Sequence, residues 1–400
     1  MKYTPHRRIV ISYHKNLIHC HHCAVVAAVK RKTLMSSIRL YKKSPRLKFK
    51  TSFNSVLFFL IALSVLVASV TYCDMTDYFV YYREYGYTST TGKIALANAF
   101  EPLYTLLMVL FTKMHAPFVV FYGSYISVCM IVFVIALKRY ADKYSSYIMC
   151  LFIIFPFINY LQQIRSTMGI CIVIWGLKYL YGETKNIKKY IICVIVSAMF
   201  HVSCITYLIF VLPSIISVKR LLKVSRYLYA VFFLFMLFGY NYVARGTKAI
   251  FQKLSDLGMS KMSTIVRVIQ ERPTTSLLSI VYILMVLITT LVCSFAYYYT
   301  REDDEQIKVF YGCSLMNNFL ALAILFENQA YRISFLALPI MYISAVISAA
   351  KIKKRVYRFI VYLSLIIVAI LFFNVTWGLL VPEMNYRFTH VMWKQHPSGW

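Results

Sequence analysis

The sequence predicts an all-α polytopic membrane protein with about eleven transmembrane helices and a cytoplasmic N-terminus. Three observations carry this. The chain of 400 residues is 60% hydrophobic, with a mean hydropathy of +0.64. Its apolar residues gather into runs long enough to cross or nearly cross the roughly 30 Å of hydrocarbon, which takes about 20 helical residues. Lysine and arginine collect in alternate loops, which the positive-inside rule places in the cytoplasm.

The expected spans are 55–73, 117–137, 144–161, 166–181, 190–201, 203–218, 226–243, 276–299, 309–326, 333–350 and 356–373. Residues 1–54 form a basic cytoplasmic N-terminal tail with 13 Lys/Arg and no acid, so they read as a leader attracted to anionic lipid. Met35 offers an alternative start, leaving 38–50 as the basic flank of the first span. Span 55–73 is too long for a cleavable signal, and further spans follow it. Residues 100–114 are apolar but short. They open on Glu101-Pro102 and end at Lys113-Met114-His115-Ala116-Pro117, and counting them as a span would put Lys138 and Arg139 outside. They read as a re-entrant or interfacial helix, with a proline suited to its first turn.

Loops 138–143, 182–189, 219–226 and 351–358 are the basic ones. Residues 191–217 look like one long span, yet Lys185, Lys188 and Lys189 precede them and Lys219, Arg220, Lys223 and Arg226 follow. Both ends therefore want the same side, and a hairpin turning near His201 satisfies both. The loop 300–308 mixes signs and votes for neither side. The longest polar stretch after the first span, 244–275, and the C-terminal tail 374–400 fall on the outer side. The domain organisation is thus a tail of 1–54, a membrane domain of 55–373 and a tail of 374–400.

Composition excludes several classes. The net charge of +30 is distributed as topology requires, so nucleic acid is not an expected partner. Most of the ten cysteines sit inside apolar runs as small buried hydrophobes rather than a disulfide framework. Cys20-His21-His22-Cys23 has no second ligand pair at zinc spacing. HExxH, P-loop, GxSxG and paired CxxC motifs are absent, and no metal or cofactor is expected. Asp303-Asp304 lies in a charged run on the cytoplasmic side, where solvation accounts for it. Glycine is scarce, 12 in 400 against a usual share near 7%, and no repeat is visible; both weigh against a transporter with broken helices.

The outer face collects Asp74, Asp77, Arg83, Glu84, Glu101, Arg165, His201, Glu327, Arg332 and Arg387. Ionisable groups at membrane depth are costly and so are functional candidates. Arg165 sits in a tight turn between two spans and Arg332 opens another, and a planar guanidinium suits bidentate contact with phosphate; snorkelling or pairing with an acid is the plain alternative. The basic residues of 244–275, including Arg245, Arg267 and Arg272, add further substrate-binding candidates, although a solvated loop needs no reason to be charged. His201 sits among apolar neighbours at the hairpin tip. Asp77 leads a run of Tyr78, Tyr81, Tyr82, Tyr85 and Tyr87, which serve equally as interface anchors and as platforms for sugar rings. Glu101 is placed either to cap a helix or to do chemistry.

The ordered set Asp77-Tyr78-Phe79-Val80-Tyr81-Tyr82, Glu101-Pro102-Leu103-Tyr104, Ile164-Arg165-Ser166-Thr167-Met168-Gly169, Ala198-Met199-Phe200-His201-Val202-Ser203 and Tyr331-Arg332-Ile333 resembles the EpsG-like, Wzy-type polymerases of O-antigen, capsule and exopolysaccharide. The resemblance covers residues 55–373. The chain departs from the pattern in its long leader and in Ser166-Thr167 after Arg165. The resemblance implies a membrane glycosyltransferase of the bacterial inner membrane. It would join oligosaccharide repeat units linked to undecaprenyl pyrophosphate at the periplasmic face, with donor and acceptor both lipid-linked and a chain-length regulator as a candidate partner. Arg165 and Arg332 would stabilise the departing pyrophosphate, with Arg245, Arg267 and Arg272 binding substrate. Glu101, His201 or Asp77 would take the proton of the attacking hydroxyl. The competing readings are a flippase of the same lipid-linked unit and another membrane glycosyl- or acyltransferase, such as a glycan ligase.

Overall fold

The computed structural model describes residues 76–93, 101–183, 185–238, 277–300, 304–325 and 330–377, together with the isolated positions 63 and 253. The chain divides into Met1–Ser52 and Phe53–Trp400, and every described helix lies in the second unit. The described residues are helical, with no strand among them. The basic tail, the first expected span except position 63, loop 244–275 except position 253, and the end of the C-terminal tail lie outside the described residues.

The helices are α1 (Thr76–Thr91), α2 (Pro102–Lys113), α3 (Phe118–Ala141), α4 (Ser145–Ile154), α5 (Phe157–Gln162), α6 (Ile164–Gly176), α7 (Ile187–Phe200), α8 (Leu212–Ile215), α9 (Val218–Phe238), α10 (Leu277–Thr300), α11 (Glu305–Leu322), α12 (Tyr331–Leu336), α13 (Leu338–Lys351) and α14 (Arg355–Trp377). Within the described residues, each expected span from residue 117 onward contains helix. By length and composition, four stretches can cross a membrane: Phe118–Ile154, Ile280–Thr300, Tyr331–Lys351 and Arg355–Thr376. The others are shorter or interrupted, and the interruptions have local causes.

The expected span 144–161 breaks at Pro156. Proline supplies no N–H to the ladder and forces its predecessor out of the helical region; Phe155 is extended, with φ −166° and ψ 132°. Loop 219–226 does not exist as a loop: Lys219, Arg220, Lys223 and Arg226 lie on the first three turns of α9. Lysine and arginine are good helix formers, so a basic flank extends a span more readily than it ends one.

The turn at His201 is present. α7 ends at Phe200, His201 is extended (φ −155°, ψ 120°), and Val202–Val211 form a 3₁₀ helix that runs into α8. The two arms are fastened by Tyr190, whose hydroxyl donates to the Tyr207 carbonyl at 2.9 Å. A 3₁₀ run of 10 residues is long for its kind. Its rise of about 2.0 Å per residue, against 1.5 Å in an α-helix, lets the short arm reach about 26 Å rather than about 21 Å.

The bundle is organised around α13, which packs against α3, α4, α10, α11 and α14. Every residue of it from Leu338 to Ala349 is buried, and Ser344, Ala345, Ser348 and Ala349 let neighbours approach closely. Thr300 donates to the Ser348 carbonyl at 2.8 Å. Two of the scarce glycines do similar work. A Cβ on Gly169 would collide with Cys204 Sγ, and one on Gly312 would lie 2.5 Å from Pro213 Cβ. The outward faces of α3, α10 and α14 expose Val128, Ile131, Ile135, Leu284, Ile288, Leu363 and Ile367, the surface expected of helices lying in lipid.

Candidate functional site

Five separated segments bring charged side chains together at one end of this bundle, and each of those side chains sits at a helix terminus. Asp77 and Glu101 stand at the N-terminal ends of α1 and α2, Arg165 and Arg332 are the second residues of α6 and α12, and His201 is the C-cap of α7. Glu101 occupies an N-cap position without making a side-chain cap bond. Its carboxylate is spent elsewhere, so the capping explanation does not account for it.

Arg165 Nη1 donates to Glu101 Oε2 at 2.8 Å, and His201 Nδ1 meets Glu101 Oε1 at 2.6 Å. The Glu101 side chain is 2% exposed, Arg165 18% and His201 28%. A second pair stands beside it: Arg332 Nη1 donates to Asp77 Oδ2 at 2.8 Å. The Arg165 guanidinium lies over the rings of Tyr81, at 5.1 Å, and Tyr104, at 5.5 Å, a favourable arrangement for a partly desolvated cation. Tyr81 lies one turn after Asp77 on α1 and directly under the Arg165 guanidinium, so it links the two pairs. Burial pushes its hydroxyl up to about 12, so it stays protonated at neutral pH.

Local structure fixes these positions. Gln163 breaks the helix between α5 and α6 (φ −111°, ψ 56°), and Thr167 Oγ1 donates across that break to the Tyr160 carbonyl at 2.6 Å. α1 is held by Tyr85, which donates to the Ala116 carbonyl at 2.6 Å, and by Tyr78 packed edge-on to Phe118 and Tyr122. The short α12 is tied down by Tyr207, donating to the Ile333 carbonyl at 2.8 Å, and by Tyr160, donating to the Leu336 carbonyl at 2.6 Å.

The nominated acids and cations are therefore partners of one another. Arginines in the first turn of a helix oppose the helix dipole, and Glu101 and Asp77 offset that. The N-termini of α1, α2 and α6 also open on the cluster, each equivalent to about half a positive charge. Arg245, Arg267 and Arg272 lie outside the described residues, as do Asp74, Glu327 and Arg387. Arg83 is exposed. Of the tyrosine run, Tyr78, Tyr81 and Tyr85 are buried, which removes them as sugar platforms; Tyr82 and Tyr87 are 40% and 46% exposed. The shelf made by Tyr81 and Tyr104 was missed, although its signal is in the spacing. Tyr81 follows Asp77 by four and Tyr104 follows Glu101 by three, which puts each on the face of its acid. Among the described residues, no three His, Cys, Asp or Glu side chains group as metal ligands.

Helices that have one end at or next to the cluster carry lysines and arginines at the other. α3 begins beside Tyr78 and ends at Lys138 and Arg139; α7 begins with Lys188 and Lys189 and ends at His201; α13 follows the Arg332 helix and ends at Lys351. The charge asymmetry read from loops is thus an asymmetry of the folded bundle.

A helical membrane protein with a buried, mutually paired charge cluster at one end of its bundle is the class that fold and site define. The EpsG family model matches residues 54–388, and the chain belongs to the EpsG family. Membership makes it a polymerase-like membrane protein of polysaccharide biosynthesis. No curated protein and no solved structure matches it.

Proposed function

We propose that this protein is a Wzy-type polymerase that joins oligosaccharide repeat units linked to undecaprenyl pyrophosphate into a surface polysaccharide, such as O-antigen, capsule or exopolysaccharide. The reaction takes place at the periplasmic face of a bacterial inner membrane, with eleven spans and the N-terminus in the cytoplasm. The observation that carries this reading is the joint placement of Glu101 between Arg165 and His201, beside the Asp77–Arg332 pair.

The arrangement favours His201 as the base over Glu101 and Asp77. Both Glu101 oxygens are engaged, whereas His201 has no partner at Nε2 among the described residues. An ionised carboxylate only accepts hydrogen bonds, so the proton of a neutral His201 sits on Nδ1 and the lone pair on Nε2. In the proposed step, the acceptor sugar hydroxyl oxygen bonds to the anomeric carbon of the donor chain. Its proton passes to His201 Nε2, the bond from anomeric carbon to phosphate oxygen breaks, and lipid pyrophosphate leaves with the electron pair. Glu101 steadies the imidazolium that forms. Arg332 carries five N–H donors, only one of which is used by Asp77 in the observed pair. With Arg165 and the helix N-termini it supplies a fixed positive field for the departing phosphates. The basic residues of 244–275, with Arg245, Arg267 and Arg272, engage the second lipid-linked substrate.

The test is a deletion strain complemented with variants and read by surface-glycan chain length. Single-repeat glycan in the deletion strain supports a polymerase; loss of all surface glycan indicates a flippase. His201→Asn is expected to cut polymer formation by about 10²–10⁴-fold while the protein remains in the membrane at normal abundance. Long chains made by a stable His201→Asn protein would remove His201 from the reaction.

A further inference from the structure

α1 has two faces. Tyr78, Tyr81, Tyr85 and Thr88 are buried, and the three tyrosines pack on Phe118, Tyr104 and Phe121. Their spacing of three and four residues is that of a single helical face. The opposite face carries Tyr82, Arg83, Gly86, Tyr87, Ser89 and Thr90, all exposed.

Gly86 is the anomaly on that face. Glycine weakens a helix interior relative to alanine, and a glycine kept there calls for a reason. Packing supplies none: a Cβ on Gly86 meets nothing within 4 Å among the described residues, unlike one on Gly169 or Gly312. Nor does a turn supply one, since α1 runs on through Gly86 to Thr91. What the missing side chain does is bare a patch of main chain. Tyr82 and Thr90 stand one turn to either side of it, Arg83 stands three residues before it, and Tyr87 follows Arg83 by one turn. Tyr82 is steadied edge-on against Phe118, with ring centroids 5.5 Å apart. Thr90 Oγ1 donates to the Gly86 carbonyl at 2.9 Å, so its lone pairs face outward for a further donor.

A bare gap between two aromatic rings, edged by a guanidinium and a hydroxyl, fits a sugar. The C–H face of a sugar ring stacks on a tyrosine, and its hydroxyls need donors and acceptors at the rim. A belt of membrane anchors would set its tyrosines among apolar residues, whereas these share their face with arginine, serine and threonine. The face is also continuous with the charge cluster: Asp77 stands about 13 Å before Gly86 along the same helix.

We infer that the outward face of α1 is a saccharide subsite. With the phosphates of a lipid-linked substrate at the cluster, its glycan runs along α1. One sugar ring sits over Gly86 between Tyr82 and Tyr87, with its hydroxyls bonded to Arg83 and Thr90. The inference takes the substrate from the polymerase reading and adds where its sugars are held.

The experiment uses the full chain in nanodiscs, with the repeat-unit oligosaccharide released from the host's own surface polysaccharide as the probe. Affinity is read by thermophoresis, and glycan length on gels of complemented deletion cells. Gly86→Leu fills the gap. Leucine is the better helix former and meets open space, so the variant is expected to melt at or above the wild-type temperature. It is nevertheless expected to bind about tenfold more weakly and to make shorter chains. Tyr87→Phe keeps the ring and is expected to bind as the wild type does. Tyr87→Leu keeps an apolar anchor without the ring and is expected to lose about tenfold. No binding by the wild type, or unchanged affinity in Gly86→Leu, would overturn the inference. So would a lower melting temperature in Gly86→Leu, which would give the glycine to the fold, or full affinity in Tyr87→Leu, which would give the tyrosine to the membrane. The polymerase reading fails separately, through loss of all surface glycan in the deletion strain; oligosaccharide affinity that still depends on Gly86 and Tyr87 would then support the subsite alone.

Discussion

The two ends of the bundle hold the same kinds of residues in opposite circumstances. At the basic end, Lys138 pairs with Asp142 four residues away at 2.9 Å, with side chains 41% and 81% exposed, and Lys185 pairs with Glu305 at 3.2 Å, 39% and 48% exposed. At the cluster end, Arg165 and Glu101 are 64 residues apart in sequence, Arg332 and Asp77 255 apart, and all four are at least partly buried. A solvated pair contributes about 0–1 kcal/mol because water already satisfies both partners. A buried pair contributes little net stability, yet breaking it strands a charge and costs about 3–5 kcal/mol. The charges of the basic end are thus solvated and fasten little, whereas those of the cluster end pin distant helices in one arrangement.

The sharpest way to break this contrast is Glu101→Ala. It removes the carboxylate that accepts from Arg165 Nη1 and the partner that orients His201. A loss of about 3 kcal/mol is expected, read as lower thermal stability in detergent. A variant as stable as the wild type would show that the cluster is solvated like the other end.

A second test separates fastening from chemistry. Asp77→Arg combined with Arg332→Asp restores an ion pair with its ends exchanged. Either single change is expected to cost about 1–3 kcal/mol, since this pair is more exposed than the first. The double variant is expected to recover most of that stability but not polymer length, because the cation then stands on α1. Full recovery of chain length would reduce the pair to a strut.

Smaller effects sharpen the other half of the comparison. Asp304 caps α11 by accepting from Gln306 N at 2.9 Å and Ile307 N at 3.4 Å. Asp304→Ala is expected to cost about 1 kcal/mol, with polymer length unchanged. Lys185→Ala, which removes an exposed pair, is expected to shift stability by less than about 1 kcal/mol. A larger loss would mean that the bonds from Lys185 to the Ser214 carbonyl and from Gly182 N to Glu305 form a working clasp.

Much of this was legible in the sequence because membranes impose strong local rules. Apolar run length located the helices, and the lysines on either side of 191–217 forced the turn at His201. The residues of the cluster were legible one by one, since charge at a membrane edge is conspicuous. Their pairing was not, because Glu101, Arg165 and His201 meet only through long-range packing that no periodicity encodes. The 3₁₀ arm was hidden as well, since its sequence has the same apolar character as an α-helix. The basic turns of α9 were misassigned for a related reason: charge marks where the membrane ends, not where the helix does.

The fastening of α12 bears on how this chain can vary. Tyr160 and Tyr207 grip the main-chain oxygens of Leu336 and Ile333, which any residue would present. Drift among apolar side chains at 333 and 336 therefore leaves the anchor of Arg332 in place, whereas loss of either distant phenol loosens it. The stretch that looks most informative beside the arginine is thereby the more tolerant one, and the constraint has moved to positions more than a hundred residues upstream.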